Sequence, residues 1–151
     1  MPRKEFVQLM EENILILDRL SAKMRIDPAY LSGYPRQQLR VLVRLQMGGR
    51  SRLKDIARRE MLSTPNLCAA FRKLEKDGLV RREIDENDRR NVWYCATPKG
   101  QEIAQTAMDN FRCHIDQMFD HVNMDDEKKL TQALGTVKEV LHKMELENAD
   151  A

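Results

Sequence analysis

Residues 63–76 combine side chains that can read or grip a nucleic acid. Asn66 can exchange two hydrogen bonds with an adenine edge, and Arg72 or Lys73 can reach a guanine edge or a phosphate. The same stretch holds short side chains that would let a helix lie close to base edges: Ser63, Thr64, Pro65, Cys68 and Ala69. These residues predict a surface that contacts base edges and phosphates.

A second basic group lies at Arg89 and Arg90, directly after Asp88. It falls between two runs rich in strand-forming residues, 79–84 and 91–97, and the turn-forming sequence at 85–88 separates those runs. The pattern predicts a β-hairpin with two arginines at its tip. Such a tip can enter a minor groove or grip its phosphates.

The charge of the chain is unevenly distributed. The stretch 36–100 holds sixteen Lys and Arg against eight Asp and Glu, whereas the remaining residues hold ten basic against sixteen acidic side chains. The centre therefore carries +8 and the rest −6, although the whole chain carries only +2. A basic centre predicts a polyanionic partner, and double-stranded DNA fits the side chains described above.

Apolar spacing predicts the helices that would position the first polar group. A short helix is expected over 53–60 and a second one over 63–76, with Ser63 as its N-cap and Gly78 after its end. The inward residues of the second helix recur in steps of three and four: Leu67, Ala70, Phe71 and Leu74. Two short helices in this order, the second with a basic outer face, indicate a helix-turn-helix that places its second helix in a major groove.

Longer amphipathic helices are expected on both sides of this centre. The first has an apolar stripe through Met10, Ile14 and Leu17, and another helix covers about 36–46. A further helix starts at Pro98, and the last one has a heptad-like seam that is typical of helices packing lengthwise on a partner. That seam consists of Leu130, Leu134, Val137, Leu141 and Met144. The predicted fold is mainly α with a small β-hairpin.

Several classes of function lack support in the sequence. There is no ordered nucleophile–base set, no Gly-rich phosphate loop and no apolar pair of carboxylates, so we expect neither an enzyme nor a required cofactor. His114 and His121 are two helical turns apart, which is too far for a shared metal site. No apolar run reaches the roughly 20 residues needed to cross a bilayer, and no signal peptide is recognisable. We therefore expect a cytoplasmic protein without a membrane partner.

The three cysteines follow neither a disulfide framework nor zinc-finger spacing, and free thiols are expected. Cys68 lies near the start of the 63–76 helix among basic residues, and both features would lower the pKa of a thiol. A thiol-based redox-sensing regulator is thus an alternative in which oxidation of Cys68 would block groove entry.

The run from Leu39 to Gly100 resembles the MarR family of bacterial transcription regulators. The resemblance is carried by the segments LRVLVRL, LKDIARRE, FRKLEKDGLVRRE and DENDRRNVWYCATPKG, and it covers about 60 residues closely. Their combination is specific, although LE..GLV alone occurs in many winged helices. Three positions depart from the family pattern: Arg52 replaces a helix-capping Ser or Thr, Ala96 replaces a Leu, and Cys68-Ala69 replaces a Thr-Arg pair on the recognition helix.

The resemblance implies a winged helix-turn-helix with six helices and a β-wing between the fourth and fifth. Residues 1–34 would hold an N-terminal dimerisation helix and linker, 35–100 the DNA-binding domain, and 101–151 the C-terminal dimerisation helices. By motif match, 63–76 is the recognition helix and Asp88 braces the arginine of the wing, Arg90.

The function implied is that of a dimeric repressor that binds a palindromic operator and is released by a small ligand. Family pockets often take aromatic carboxylates or other amphipathic anions, and Met24, Arg25, Tyr30 and Tyr34 lie near the expected pocket. An architectural DNA-binding protein with little sequence preference is the other alternative, since it would share the basic surface and the wing.

Overall fold

The computed structural model describes residues 2–23, 33–60 and 63–149. Within them, six helices and three short strands follow one another along the chain: α1 (Pro2–Lys23), α2 (Arg36–Gly48), β1 (Ser51–Arg52), α3 (Leu53–Glu60), α4 (Thr64–Lys76), β2 (Val80–Ile84), β3 (Val92–Ala96), α5 (Pro98–Met118) and α6 (Met124–Ala149). The predicted mainly helical fold with a β-wing is confirmed.

The strands form an antiparallel sheet in the order β1-β3-β2. Val80 lies opposite Ala96 in the predicted hairpin, and Arg52 of β1 lies opposite Trp93 of β3. The sequence predicts only the hairpin. Strand β1 has two residues, which is too short for an alternating pattern to be recognised, and its pairing with β3 depends on a partner some forty positions away.

The core of the domain lies where α2, α3 and α4 meet the sheet. The side chains that recur in steps of three and four on these helices are the buried ones, as amphipathic spacing predicts. Phe71 and Leu42 are the largest of the fully buried side chains. The buried cluster consists of Val41, Leu42, Leu45, Ile56, Leu67, Phe71, Leu74, Leu79, Val80, Ala96 and Ala104. An ion pair between Arg40 and Glu60, at 2.6 Å, also connects α2 to the end of α3.

The sequence TPKG forms a tight junction between the sheet and α5. The hydroxyl of Thr97 donates to the carbonyl of Gly78 at 2.6 Å and accepts the backbone N–H of Gly100 at 3.2 Å. The N–H of Thr97 donates to the carbonyl of Leu79 at 3.0 Å. Gly100 lies so close to this carbonyl that a Cβ would overlap it. The start of α5 is thereby fixed against the residues that follow α4.

Helix α1 leaves its apolar side chains exposed. They occur around much of the helix rather than on one buried stripe: Phe6, Val7, Leu9, Met10, Ile14, Leu15, Ile16, Leu17 and Leu20. Exposed contiguous apolar surface of this kind marks a site that another surface covers.

Helix α6 likewise has no buried residue among those whose side chains are described. Its exposed large apolar side chains include the predicted seam: Met124, Leu130, Leu134, Val137, Val140, Leu141, Met144 and Leu146. The chain divides into two compact units, Met1–Ile115 and Asp116–Ala151. The assignment of 1–34, 35–100 and 101–151 to separate roles stays a prediction.

No helix in the described parts of the chain is long and apolar enough to cross a membrane.

Candidate nucleic-acid interface

Helix α4 has one buried and one exposed face. Its buried face contacts the core through Leu67, Ala70, Phe71 and Leu74. The residues predicted to meet DNA lie on the other side, where all are exposed except the half-buried Cys68: Thr64, Pro65, Asn66, Cys68, Ala69, Arg72 and Lys73. Because the core anchors one side along the whole helix, the opposite face is presented as a rigid surface.

Ser63 occupies the predicted N-cap position, with extended dihedral angles of −65° and 141°. Its carbonyl accepts the N–H of Leu67 at 3.0 Å, whereas its side chain makes no capping hydrogen bond. The prediction of a capping position is therefore confirmed, and a side-chain cap is absent. The exposed Ser63 hydroxyl is available for a hydrogen bond with an external acceptor such as a phosphate.

Arg72 and Lys73, the two basic residues of α4 predicted to meet DNA, make only exposed, local contacts. The Arg72 Nε donates to the carbonyl of Cys68 at 3.4 Å, and the Lys73 Nζ lies 3.3 Å from a carboxylate oxygen of Asp77. Exposed i,i+4 contacts of this kind contribute little stability, about 0.3–0.5 kcal/mol. Both side chains can therefore turn towards an incoming anion at small cost.

The tip of the hairpin is a turn held by Asp88. One carboxylate oxygen of Asp88 accepts the backbone N–H of Arg90 at 3.0 Å. The other oxygen lies 3.4 Å from the side-chain nitrogen Nδ2 of Asn91. The bracing expected of Asp88 thus acts on the backbone of Arg90. The side chains of Arg89 and Arg90 are exposed.

Asp85 makes a second bond of the same type at the base of the turn. One of its oxygens accepts the backbone N–H of Asn87 at 2.9 Å, and the indole N–H of Trp93 points to the other oxygen at 3.5 Å. The hydrogen bond from Asn87 lowers the pKa of the Asp85 carboxyl below its usual range, and the Trp93 hydrogen bond and the charge of Arg50 act in the same direction. Sequence reasoning assigned Asp85 only to turn chemistry.

Tyr94 connects β3 to α4. Its ring centroid lies 4.2 Å from that of Phe71, at an interplanar angle of 40°. Burial raises the pKa of the Tyr94 phenol. Tyr94 therefore packs against the core side of the sheet.

Trp93 faces the opposite side of the sheet, beside two arginines. The guanidinium carbons of Arg50 and Arg52 lie 4.7 and 5.4 Å from its ring centroid. The sequence predicts no contact of either arginine with Trp93, because nothing in it reveals that β1 pairs with β3. Strand β1, with only two residues, is too short to be recognised from the sequence.

Of the residues expected near a ligand pocket, Tyr34 is half-buried and packs against the core. Met24, Arg25 and Tyr30 lie outside the described residues. Of the other thiols, Cys95 lies in β3, where burial raises its pKa and so favours the protonated form.

Comparison with known proteins finds similarity to transcriptional regulators. Residues 35–92 match the family described as MarR. The chain is 31% identical over 80 residues to the uncharacterized HTH-type transcriptional regulator YwhA of Bacillus subtilis, which is 53% of this chain and 58% of the relative. It is 29% identical over 98 residues to the regulator YkoM of the same organism, covering 65% of this chain and 64% of the relative. The chain thus spans less than two thirds of the length of these relatives.

Several solved structures share the fold of this chain. The transcriptional regulator BldR of Sulfolobus solfataricus is 26% identical, covers 89% of this chain and 95% of its own, and has a TM-score of 0.64. A MarR family protein from Bacillus stearothermophilus is 15% identical and covers 94% of this chain and 99% of its own, with a TM-score of 0.77. NadR, solved in complex with 4-hydroxyphenylacetate, is 22% identical, with coverages of 83% and 89% and a TM-score of 0.61. Residues 35–92 of this chain thus resemble the MarR family, and the solved structures share its fold.

Proposed function

We propose that this protein is a sequence-specific DNA-binding transcriptional regulator that lays α4 in a major groove and the wing tip against the adjacent minor groove. The observation that carries the proposal is the pairing of two rigid basic surfaces on one domain. Helix α4 is anchored by four buried side chains, and the turn carrying Arg89 and Arg90 is braced by Asp88. Both surfaces lie in the part of the chain that carries the +8 charge.

Side-chain chemistry suggests which residues of this interface contact bases and which contact phosphates. Asn66 can form a bidentate contact with adenine, and Arg72 can do so with guanine. Ser63, Thr64 and Lys73 suit phosphate contacts, which position the helix without reading sequence. Ala69 and the half-buried Cys68 add little bulk, so the helix backbone can approach the bases.

The protein is proposed to act as a homodimer on a palindromic operator. The support is the exposed apolar surface of α1 and of α6, which a second copy of the chain would cover. In a two-fold dimer, the half-sites would lie about 34–36 Å apart, or one helical turn. Sedimentation should therefore give twice the mass of the chain at micromolar concentration.

Repression relieved by a small aromatic carboxylate is the proposed mode of regulation. Its support is the match of residues 35–92 to the MarR family and the structural relative solved with 4-hydroxyphenylacetate. A ligand releases DNA only if it binds the DNA-free protein more tightly than the DNA-bound protein. The ratio of these two ligand affinities equals the factor by which the ligand weakens DNA binding. Titration with 4-hydroxyphenylacetate should lower the affinity for DNA, and an unchanged affinity up to millimolar ligand would reject this effector.

The decisive experiment measures binding to the DNA upstream of the protein's own gene, against a scrambled duplex, across a salt series. A regulator should prefer the upstream DNA and show a steep fall of affinity with salt. Arg90→Ala should lower the affinity by roughly tenfold and reduce the salt slope by about one. Arg112→Ala is a matched control, because Arg112 is an exposed arginine of α5 paired with Asp109 at 3.1 Å.

The other outcomes separate the alternatives. Equal binding to both duplexes would favour an architectural protein with little sequence preference. No binding at low salt would reject DNA binding altogether.

A further inference from the structure

Trp93 is the centre of a continuous network on the outer face of the wing sheet. Arg52 and Glu83 lie directly opposite it on the two neighbouring strands. Directly paired residues of antiparallel strands point to the same face, so these three side chains form a row across all three strands. Arg50, from the segment before β1, lies over the same ring.

Each arginine of this network also has an acidic partner. The Arg52 Nε lies 2.9 Å from a carboxylate oxygen of Asp55, which is in the first turn of α3. An Arg50 nitrogen lies 3.8 Å from Glu83, and Arg81 approaches the other oxygen of Glu83 at 3.0 Å. Arg52 therefore joins the sheet to the helix-turn-helix, while Arg50 contacts both Trp93 and Glu83.

The network continues from Trp93 into the turn of the wing. The indole N–H points to Asp85, whose other oxygen holds the backbone N–H of Asn87. The N–H of Asp85 itself donates to the carbonyl of Asn91 at 3.0 Å. A chain of contacts thus runs from α3 through Arg52, Trp93 and Asp85 to the turn that carries Arg89 and Arg90.

The charges of this face argue for an internal role. Its cationic groups are Arg50, Arg52 and Arg81, and its anionic groups are Asp55, Glu83 and Asp85. The three positive and three negative charges cancel. A surface built to grip phosphates carries a surplus of positive charge, as the 36–100 stretch does overall.

We propose that Trp93, whose ring contacts both Arg50 and Arg52, is a positioning residue that fixes the wing tip relative to α3 and α4. This inference rests on the proposed DNA-binding function. The wing and α4 must reach neighbouring grooves of one duplex at the same time, and a displacement of the tip by an ångström or two would lose one of the two contacts. Tyr94 fixes the other face of the same strand against Phe71, so the two adjacent residues hold the wing from both sides.

The test is a double-mutant cycle between the network and the wing tip. Trp93→Val keeps a strand-forming residue at this position and removes the stack. We expect it to weaken binding to the upstream DNA three- to tenfold in the wild-type background, since a loosened tip contributes roughly one contact less. In the Arg89→Ala/Arg90→Ala background the same substitution should change affinity less than twofold, because the side chains that it positions are absent.

Conservative and control variants separate positioning from other roles. Trp93→Phe retains a ring for stacking and should lose less than threefold, whereas Arg52→Lys keeps the charge and loses the planar stack, so it should resemble Arg52→Ala. If Arg52 contacted a phosphate instead, Arg52→Lys would retain affinity and Arg52→Ala would reduce the salt slope by about one. Arg112→Ala remains the control.

Trp93 is the only tryptophan of the chain, so its fluorescence reports directly on the stack. Arg52→Ala should shift its emission to longer wavelength, because the guanidinium shields the ring from water. If Trp93→Val fails to fold, Arg52→Ala replaces it in the double-mutant cycle with Arg89→Ala/Arg90→Ala.

The inference is overturned if the substitution at Trp93 or Arg52 costs the same factor with and without the wing arginines. It is also overturned if emission shifts and affinity stays unchanged. In both cases wild-type binding and its loss in Arg89→Ala/Arg90→Ala would leave the proposed function intact. Absence of wild-type binding would instead remove the proposed function itself, and this inference with it.

Discussion

Replacing Gly100 by alanine should destabilise the fold, although alanine is ordinarily the better helix former. A Cβ at this position would overlap the carbonyl oxygen of Leu79, lie 2.9 Å from its carbonyl carbon and lie 3.3 Å from a methyl carbon of Leu42. Leu79 and Leu42 are both fully buried. The backbone of Leu79 also accepts the N–H of Thr97, so it has little freedom to move.

The magnitude follows from three contributions. Forcing a methyl group into a filled site costs about 1–3 kcal/mol. Stretching the hydrogen bond from Thr97 to Leu79 adds about 1 kcal/mol. The helix propensity of alanine offsets up to about 1 kcal/mol. The free energy of unfolding should therefore fall by about 1–3 kcal/mol, which lowers the melting temperature by about 3–10 °C for a chain of this size.

Thermal unfolding followed by circular dichroism would measure this effect, with Gly135→Ala as the matched control. Gly135 is also helical, in α6, and a Cβ there would meet no described atom within 4 Å. The control should keep or slightly raise the melting temperature, by up to about 1 kcal/mol in stability. An unchanged or raised melting temperature for Gly100→Ala would show that the Leu79 contact does not restrict this position.

Two further predictions concern the junction and the wing. Thr97→Val keeps the side-chain shape and removes the oxygen that bonds Gly100 and Gly78, so the free energy of unfolding measured in urea should fall by about 1–2 kcal/mol; an unchanged midpoint would contradict it. The pKa of Asp85 is lowered from its ordinary value of 3.8 in the folded wing, chiefly because the carboxylate accepts the N–H of Asn87. The ionised carboxylate therefore contributes fully to stability above the pKa of the unfolded chain, and this stability is lost as the pH falls through the lowered pKa of the folded state. Trp93 fluorescence should therefore change below pH 3.8, and a transition above that pH, or one that persists in Asp85→Asn, would refute the assignment.

Much of the fold could be predicted because its signals are local. The helix over 63–76 was predicted from apolar steps of three and four, and these same residues are buried. Strands β2 and β3 were predicted from residue type and the turn between them, within one residue at each end. The face of α4 that holds Asn66 and Arg72 follows from the same periodicity, since the side opposite a buried stripe must be exposed.

The contacts that hold the wing could not be predicted in this way. Arg52 and Trp93 are far apart in sequence and meet only because β1 pairs with β3. The family resemblance implies that Asp88 braces Arg90, and the structure reveals a bond to the backbone N–H of Arg90 rather than to its guanidinium. The hydrogen-bond partner of such a carboxylate depends on where the folded backbone places its N–H groups.

The sequence by itself thus determined the order of helices and strands, the buried faces and the basic centre, because periodicity and charge are properties of neighbouring residues. Only the tertiary structure decided that Gly100 must lack a side chain, that two arginines contact the Trp93 ring, and that Tyr94 packs on Phe71. Each of these depends on two segments brought together by folding, and the distance between such segments is not encoded in the spacing of either one.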